Sequence, residues 1–315
     1  MQKVQRRDFL KWTAAGTVIP TAGLAADPAP GAAQTAAPAG KFSAYERIPL
    51  GKTGIQPTRL SFGTGVRSFN RNSDLLRKGG RDYAVKVVRA AYERGVRCFD
   101  MADLYGSHQF VAEALAPFPR DSYVLFSKIW WRGGGVPDAE KGTPDVIVDR
   151  FLRELKTDYV DLVHLHCVDN GTWPQDLATQ METLEKVKKA GKIRAHGISI
   201  HAFSALHAAP GVEWLDAVHV RINPFGSKMA GPVDRNMEEI TKLHKEGKGI
   251  IAMKVIGEGD FSKDSAKIDQ SIAFALKSGV IDVLNIGFVS VEEVDDIARR
   301  IAAVDKPVKT EKTDA

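Results

Sequence analysis

The sequence predicts an α/β protein built as one (β/α)8 TIM barrel with an N-terminal β-hairpin. Short apolar runs alternate with amphipathic segments from residue 59 onward, a pattern typical of β/α units around a parallel sheet. Eight such pairs follow one another along the chain. The 315 residues are also enough for one barrel of about 250 residues.

The strands are the short apolar runs, and the helices between them show apolar residues three and four apart. Gly191, which follows Lys188, Lys189 and Ala190, predicts the end of one such helix. An open doubly wound sheet is the main alternative fold, but it would normally carry a glycine-rich phosphate loop after the first strand. Residues 63–66 (GTGV) lack its third glycine. We expect strands at residues 60–63, 97–101, 123–128, 159–166, 195–200, 217–221, 249–254 and 283–287.

The two ends of the chain differ from the alternating middle. Residues 47–55 (RIPLGKTGI) predict a β-hairpin with a glycine turn, expected to cover the closed bottom of the barrel. The expected organisation is a signal peptide at 1–26, a disordered linker at 27–42, the barrel at 43–304 and a polar tail at 305–315.

The first 26 residues have the charged, apolar and small-residue regions of a bacterial signal peptide, too short and polar for a stable membrane span. Arg6 and Arg7, followed by DFLK, resemble the twin-arginine motif. That resemblance implies the Tat export machinery as a partner and a periplasmic or exported location. Cleavage is expected after residue 25 or 26, with residues 37 and 39 as alternatives.

Charge and cysteine content exclude several classes of function. The formal charge is +5, of which the first 26 residues carry +3, leaving 5 − 3 = +2 for the remainder. No basic run with interleaved aromatics appears there, so nucleic acid is not an expected partner. Cys98 and Cys167 lie in apolar stretches and predict buried thiols, with a disulfide as the alternative. Without a Cys-x-x-Cys spacing, no metal site is expected.

Polar residues follow three successive strands at the point where each ends. Asp100, Lys128 and His166 hold these positions, and Tyr105 follows Asp100 by five residues. Taken singly, each has an ordinary explanation as a helix cap, a solvated charge or a core group. Because the active site of a barrel lies at the carboxyl ends of its strands, their joint occurrence predicts a catalytic group.

Three segments carry a family resemblance that extends from about residue 47 to 300. Residues 99–106 (FDMADLYG), 158–166 (DYVDLVHLH) and 191–199 (GKIRAHGIS) resemble conserved blocks of the aldo-keto reductases. The resemblance implies an NAD(P)-dependent carbonyl reductase or alcohol dehydrogenase that acts on a small-molecule carbonyl or alcohol. A cofactor-binding sensor with little turnover, and a barrel of unrelated chemistry, are the alternatives.

The resemblance also implies a role for each member of the group. Tyr105 would be the general acid, and since tyrosine has an ordinary pKa of about 10, the ammonium of Lys128 would lower it. Asp100 would hold and balance that ammonium. His166 would donate a hydrogen bond to the carbonyl oxygen, while His164, one layer deeper, would fill the core.

The cofactor contacts depart from the family pattern. The family's Asn after Ser199 is replaced by Ile200, so His201 is a candidate substitute. His219 and Met253 stand where the family has a glutamine and a stacking aromatic. The expected cofactor contacts are Gly63, Thr64, Asp100, Ser199, His219, Met253, Lys254 and Ser290.

The last loop bears on the choice between NADP and NAD. The family usually carries lysine and arginine there for the 2′-phosphate of NADP, whereas this chain has Phe288, Val289 and Ser290 followed by Glu292 and Glu293. NADP is the family default, and NAD is kept as an option because acidic neighbours repel a phosphate. For an exported enzyme, we expect the cofactor to be loaded before export and retained.

Overall fold

Eight parallel strands pair in sequence order and close on themselves, since β1 hydrogen-bonds with both β2 and β8. The computed structural model describes residues 40–229 and 231–307. The predicted signal peptide, most of the predicted linker and residues 308–315 lie outside these ranges. The predicted (β/α)8 barrel is confirmed.

The strands lie close to their expected positions. They are β1 (Leu60–Gly63), β2 (Cys98–Asp100), β3 (Val124–Ile129), β4 (Val160–Val168), β5 (Ile193–Ile200), β6 (Ala217–Arg221), β7 (Gly249–Met253) and β8 (Val283–Gly287). The helices are α1 (Asp74–Glu93), α2 (His108–Leu115), α3 (Pro144–Leu155), α4 (Trp173–Asp176), α5 (Ala178–Lys189), α6 (Phe203–His207), α7 (Val233–Lys245), α8 (Ser265–Lys277) and α9 (Val291–Ala303). None of these helices is both long enough and apolar enough to cross a membrane.

The predicted hairpin closes the amino-terminal end of the barrel. The amide of Leu50 donates to the carbonyl oxygen of Ile55 at 3.0 Å, and Ile48 donates to Pro57 at the same distance. The side chains of Ile48, Leu50 and Ile55 are buried against residues near the starts of the strands, such as Val283. One end of the barrel is therefore sealed by apolar contacts, which leaves the other end for polar groups.

The folded barrel also includes the last residues of the expected linker and the first residue of the expected tail. Lys41 pairs with Asp305 in an antiparallel bridge, and the amide of Phe42 donates to Val304 at 3.1 Å. Phe42 is only 6% exposed. Residues 41, 42 and 305, which the sequence assigns to the linker and the tail, are thus part of the folded unit, because an aromatic side chain there finds a place in the core.

Strands β5 and β6 approach each other so closely at Gly197 that no side chain fits. A Cβ atom built on Gly197 would lie 1.8 Å from the carbonyl oxygen of Ala217 and 3.2 Å from the His164 ring. Backbone cannot move aside as a flexible side chain can. Gly197 therefore sets the spacing of this part of the barrel.

We expect Gly197→Ala to lower the free energy of unfolding by at least about 2 kcal/mol, because overpacking against backbone forces the strands apart. Urea unfolding followed by circular dichroism measures the change. The matched control is Gly133→Ala, where a Cβ has nothing within 4 Å. A loss below about 0.5 kcal/mol at Gly197 would show that the two strands separate easily.

Candidate active site

A cavity of about 850 Å³ opens at the carboxyl ends of the strands, at the end of the barrel opposite the hairpin. Its walls come mainly from β1, β7, β8 and the loops that follow them. Asp100, Tyr105 and Lys128 line it as well. The structure thus brings three members of the predicted group to one cavity.

A buried ion pair lies at the base of this cavity. The Nζ of Lys128 is 2.5 and 2.6 Å from the two carboxylate oxygens of Asp100, and it donates a third hydrogen bond to the Met101 carbonyl oxygen at 3.0 Å. Asp100 and Lys128 are 2% and 1% exposed. All three ammonium hydrogens therefore have acceptors, none of which is Tyr105.

Burial favours the uncharged forms of Asp100 and Lys128, whereas their contact with each other favours the charged forms. Burial raises the pKa of Asp100, but the ammonium of Lys128 and the His219 ring outweigh it and hold this pKa well below its usual range. Burial lowers the pKa of Lys128, an effect that Asp100 partly offsets. The carboxylate is therefore ionised at neutral pH, and it stabilises the ammonium in return.

Two further donors complete the surroundings of Asp100. The Nδ2 of Asn285, on β8, donates to its Oδ2 at 2.7 Å, and the Nε2 of His219 lies 3.3 Å from its Oδ1. His219 is expected from sequence to contact the cofactor, but the structure places it fully buried beside the carboxylate. Sequence reasoning missed Asn285, although a polar residue inside the apolar run of β8 is a signal of the kind that identified Asp100.

Tyr105 and His166 face each other above the ion pair. The Tyr105 hydroxyl is 3.4 Å from the Nε2 of His166, and the two rings meet edge to face. The Nζ of Lys128 lies 5.2 Å from the centre of the Tyr105 ring. A phenol and an imidazole are thus positioned to contact one oxygen atom together.

The pKa of Tyr105 moves opposite to the sequence expectation. Burial raises it well above its ordinary value, and the nearby Asp100 carboxylate adds to the rise. The expectation that Lys128 lowers this pKa is wrong for this structure, because the ammonium is hydrogen-bonded to Asp100 and Met101 and its charge is balanced there. Tyr105 is therefore a protonated phenol at neutral pH.

The turn that carries Tyr105 is fixed from two sides. A Cβ on Gly65 would come within 2.3 Å of the Tyr105 ring, so the ring lies directly against the loop after β1. Within the same turn, the buried carboxylate of Asp103 is bound by Arg150 at 2.8 and 2.9 Å and by Arg71 at 3.1 Å. Sequence reasoning treated Gly65 only as part of an incomplete phosphate loop, because ring packing across two loops leaves no local signal.

His166 is a neutral imidazole in a tight setting. Burial lowers its pKa well below the usual range, and the charge of Lys128 adds to the effect. Its Nδ1 is buried without a hydrogen-bond partner among the described residues. Trp131 Nε1 donates to the His166 carbonyl oxygen at 2.7 Å, and the Trp130 ring meets the imidazole edge to face. The loop after β3, which carries both tryptophans, is therefore attached to the rim beside His166.

The remaining expected cofactor contacts divide into two groups. Gly63, Met253 and Lys254 line the cavity. Thr64 and Ser199 do not line it and are fully buried. The Thr64 hydroxyl donates to the Asp100 carbonyl oxygen at 2.9 Å, while Ser199 Oγ lies 3.1 Å from the His201 Nε2.

Ser290 has a structural role in this arrangement. Its side chain caps α9 by accepting a hydrogen bond from the Glu293 amide at 3.4 Å, and it is 8% exposed. His164 is fully buried, with its Nε2 3.3 Å from the Ala217 carbonyl oxygen, as expected for a core histidine.

The two cysteines have free thiols, and they differ in position. Cys98 is fully buried, whereas Cys167 is partly exposed and has a φ of 58° at an irregularity in β4. That irregularity brings the Cys167 Sγ to 3.5 Å from the His201 Nε2. Cys167, unlike Cys98, therefore does not fit the expectation of a fully buried thiol.

The cavity is large enough for a nicotinamide dinucleotide and offers it apolar wall and a hydrogen-bond acceptor. Its volume lies in the range of small-molecule and cofactor sites. Met253 and Ile286 offer apolar wall, and the buried Oδ1 of Asn285 has no partner among the described residues and is free to accept a hydrogen bond. At Gly287 a Cβ would meet Val66 at 2.2 Å, so glycine keeps this wall open.

Comparison with known proteins agrees with this geometry. The profile of the Aldo/keto reductase family matches residues 60–308. A Glycine max protein named as an aldo-keto reductase is 26% identical over 222 residues, 68% of this chain and 60% of its own length. The aldo-keto reductase YhdN of Bacillus subtilis is 27% identical over 238 residues, 70% of this chain and 68% of its own. The chain thus spans less than two thirds of the soybean relative.

A solved structure has the same fold. An aldo-keto reductase from Klebsiella pneumoniae, crystallised in complex with NADPH, superimposes with a TM-score of 0.62 at 20% identity, over 83% of this chain and 91% of its own. The family profile extends from the first residue of β1 to beyond the end of α9. This chain belongs to the aldo/keto reductase family.

Proposed function

We propose that the protein interconverts a carbonyl compound and its alcohol, with Tyr105 as the proton donor in reduction. The observation that carries the proposal is the pairing of the Tyr105 hydroxyl and the His166 Nε2, 3.4 Å apart, above the buried ion pair of Lys128 and Asp100. A carbonyl oxygen placed between these two donors develops negative charge as its carbon is reduced. Both groups stabilise that charge.

The proton balance follows from the protonation states. A bound nicotinamide supplies the hydride chemistry that the side chains lack. Tyr105, kept protonated by its raised pKa, gives its proton to the substrate oxygen. The phenolate left behind has a high affinity for a proton, so it takes one up from solvent before the next reduction. Neutral His166 orients the oxygen with a hydrogen bond and does not need to change its charge.

Tyr105→Phe is expected to lower the rate constant of carbonyl reduction by about 10²- to 10⁴-fold, since it removes the proton donor but keeps the ring against Gly65. Single-turnover oxidation of bound reduced cofactor by a panel of aldehydes gives the rate. The control is Tyr159→Phe, just before β4 at the opposite end of the barrel.

The wild-type rate should also stay constant from about pH 6 to about pH 8, because the pKa of Tyr105 is raised and that of His166 is lowered, both out of this window.

Equal rates for Tyr105→Phe and wild type would eliminate Tyr105 as the acid. If no aldehyde oxidises the cofactor of the wild type, a cofactor-binding sensor becomes the better description.

We also infer that NAD is preferred to NADP. Seven carboxylate residues and four basic residues line the cavity, a formal balance of 4 − 7 = −3. Each basic residue already faces a carboxylate, as Arg67 faces Asp74 at 2.5 Å and Lys254 faces Glu258 at 2.8 Å. An added 2′-phosphate dianion would meet this surplus of negative charge without a free cation to pair with.

The dissociation constant of NAD is therefore expected to be at least about tenfold lower than that of NADP, a difference of about 1.4 kcal/mol. Quenching of intrinsic fluorescence measures both constants. Glu292→Lys, at the exposed start of α9 in the cavity wall, should narrow the ratio, whereas Glu182→Lys on the exposed face of α5 should not. Tighter binding of NADP by the wild type would refute the inference.

We further propose that the protein is exported by the twin-arginine route with its cofactor already bound. The support is the order of residues 1–26, which lie outside the described part of the chain. Replacing Arg6 and Arg7 together by lysine should leave the protein in the cytoplasm, as cell fractionation and immunoblotting would show. An unchanged distribution contradicts export by this route, and exported wild type without nicotinamide absorbance contradicts retention.

A further inference from the structure

Arg221 ends β6 on the same rim of the barrel as His166, and in the described structure no carboxylate is paired directly with its guanidinium. The guanidinium is partly buried, and its Nε is buried without a hydrogen-bond partner. Its contacts are the Nδ1 of His201 at 2.5 Å and the Lys228 carbonyl oxygen at 3.3 Å. Among residues 40–229 and 231–307, no carboxylate oxygen lies within 4.0 Å of it.

Other arginines also lack a carboxylate partner, but backbone carbonyl oxygens or aromatic rings occupy their guanidinium groups. Arg47, at the hairpin end, donates to the carbonyl oxygens of Gln56 and Ser122 at 2.6 and 2.5 Å. Arg97 donates to two carbonyl oxygens and stacks on Tyr92. These are structural roles at the closed end of the barrel. Arg221 has one long carbonyl contact and lies at the open end, where ligands enter.

His201 cannot neutralise Arg221. Because the guanidinium donates to its Nδ1, the ring carries its own proton on Nε2, which points to Ser199 and Cys167 at 3.1 and 3.5 Å. Burial, and then the charge of Arg221, lower the pKa of His201 to about 2. A neutral imidazole satisfies one N–H of the guanidinium but carries no negative charge to pair with it. Glu258 favours the charge only from a distance and is itself paired with Lys254 at 2.8 Å.

A metal ion is the competing ligand for this corner of the site. Ligand atoms of His166, Cys167 and His201 lie within 4.8 Å of one another, close enough to hold one. The surroundings oppose a cation, however. Arg221 occupies one nitrogen of His201, and its charge repels a cation. Arg132, which donates to the Cys167 carbonyl oxygen at 2.6 Å, is paired with Asp169 and adds little charge of its own. Charge of this sign attracts an anion.

The position of Arg221 shows where a bound anion would lie relative to Tyr105 and His166. The rings of His166 and His201 are 5.9 Å apart, so Arg221 is separated from the proposed carbonyl site by the His201 side chain. Its neighbour in the sheet, Met253, lines the large cavity, whereas Arg221 does not. The guanidinium therefore lies beside His201 on the rim and outside the lining of the cavity assigned to the dinucleotide.

We propose that the carbonyl substrate carries a carboxylate, which the guanidinium of Arg221 binds while its carbonyl oxygen lies between Tyr105 and His166. The proposal rests on the function proposed above and names the substrate class. A carboxylate supplies the missing counterion, and the planar fork of an arginine is suited to bind it with two hydrogen bonds. An uncharged aldehyde would leave this guanidinium partly desolvated and unpaired.

The test compares an aldehyde acid with its uncharged counterpart on the full-length protein. For wild type, kcat/KM for 4-oxobutanoate is expected to exceed that for its methyl ester by at least about tenfold, with the difference in KM. In Arg221→Gln the acid-to-ester ratio falls toward one, and in Arg221→Lys, which keeps the charge without the fork, it is intermediate. Arg153→Gln, on the exposed face of α3, keeps the wild-type ratio.

A binding measurement separates this inference from the proposed function. Succinate, which cannot be reduced, should bind the wild type more tightly than succinamide in calorimetry, and the preference should disappear in Arg221→Gln. If no aldehyde is reduced but this preference holds, the anion site stands and carbonyl reduction does not. Equal kcat/KM for acid and ester, or equal affinity for succinate and succinamide, overturns the carboxylate proposal.

Discussion

The buried ion pair of Asp100 and Lys128 constrains everything at the open end of the barrel. Two charges removed from water are stable only if their geometry is good and their other hydrogen-bonding groups are satisfied. The structure meets this condition with Asn285, His219 and the Met101 carbonyl oxygen, which come from β8, β6 and the end of β2. The closed barrel is what brings such distant parts of the chain to one carboxylate.

The same pair explains why Lys128 and Tyr105 have separate roles. A lysine that directs all three hydrogens at acceptors below the phenol cannot also hydrogen-bond the phenol. With its charge balanced by Asp100 and no contact with the phenol, Lys128 does not favour ionisation of Tyr105, which stays protonated until its proton is needed. Because Lys128 makes no hydrogen bond to Tyr105, the ammonium can keep its orientation when Tyr105 loses its proton. The ion pair at the floor of the cavity then stays unchanged during the proton transfer.

Much of this arrangement could be read from the sequence, because strand ends are local features. Apolar runs located the strands within a few residues, and three polar strand ends located Asp100, Lys128 and His166. Which way a buried polar group points is not local. Thr64, Ser199 and His219 were expected at the cofactor, yet their partners lie on other strands or loops and hold them inside the wall. The contact of Gly65 with Tyr105 likewise depends on how two loops pack.

Tyr105 differs from the other three residues in lying on a turn and not on a strand, and that turn is anchored by the charges around Asp103. Since the cost of desolvating charged groups falls as temperature rises, such an anchor weakens less on heating than an apolar one. The turn should therefore keep its place until the barrel itself melts. Heat inactivation and global unfolding would then coincide, without the early loss of activity seen when a catalytic loop loosens first.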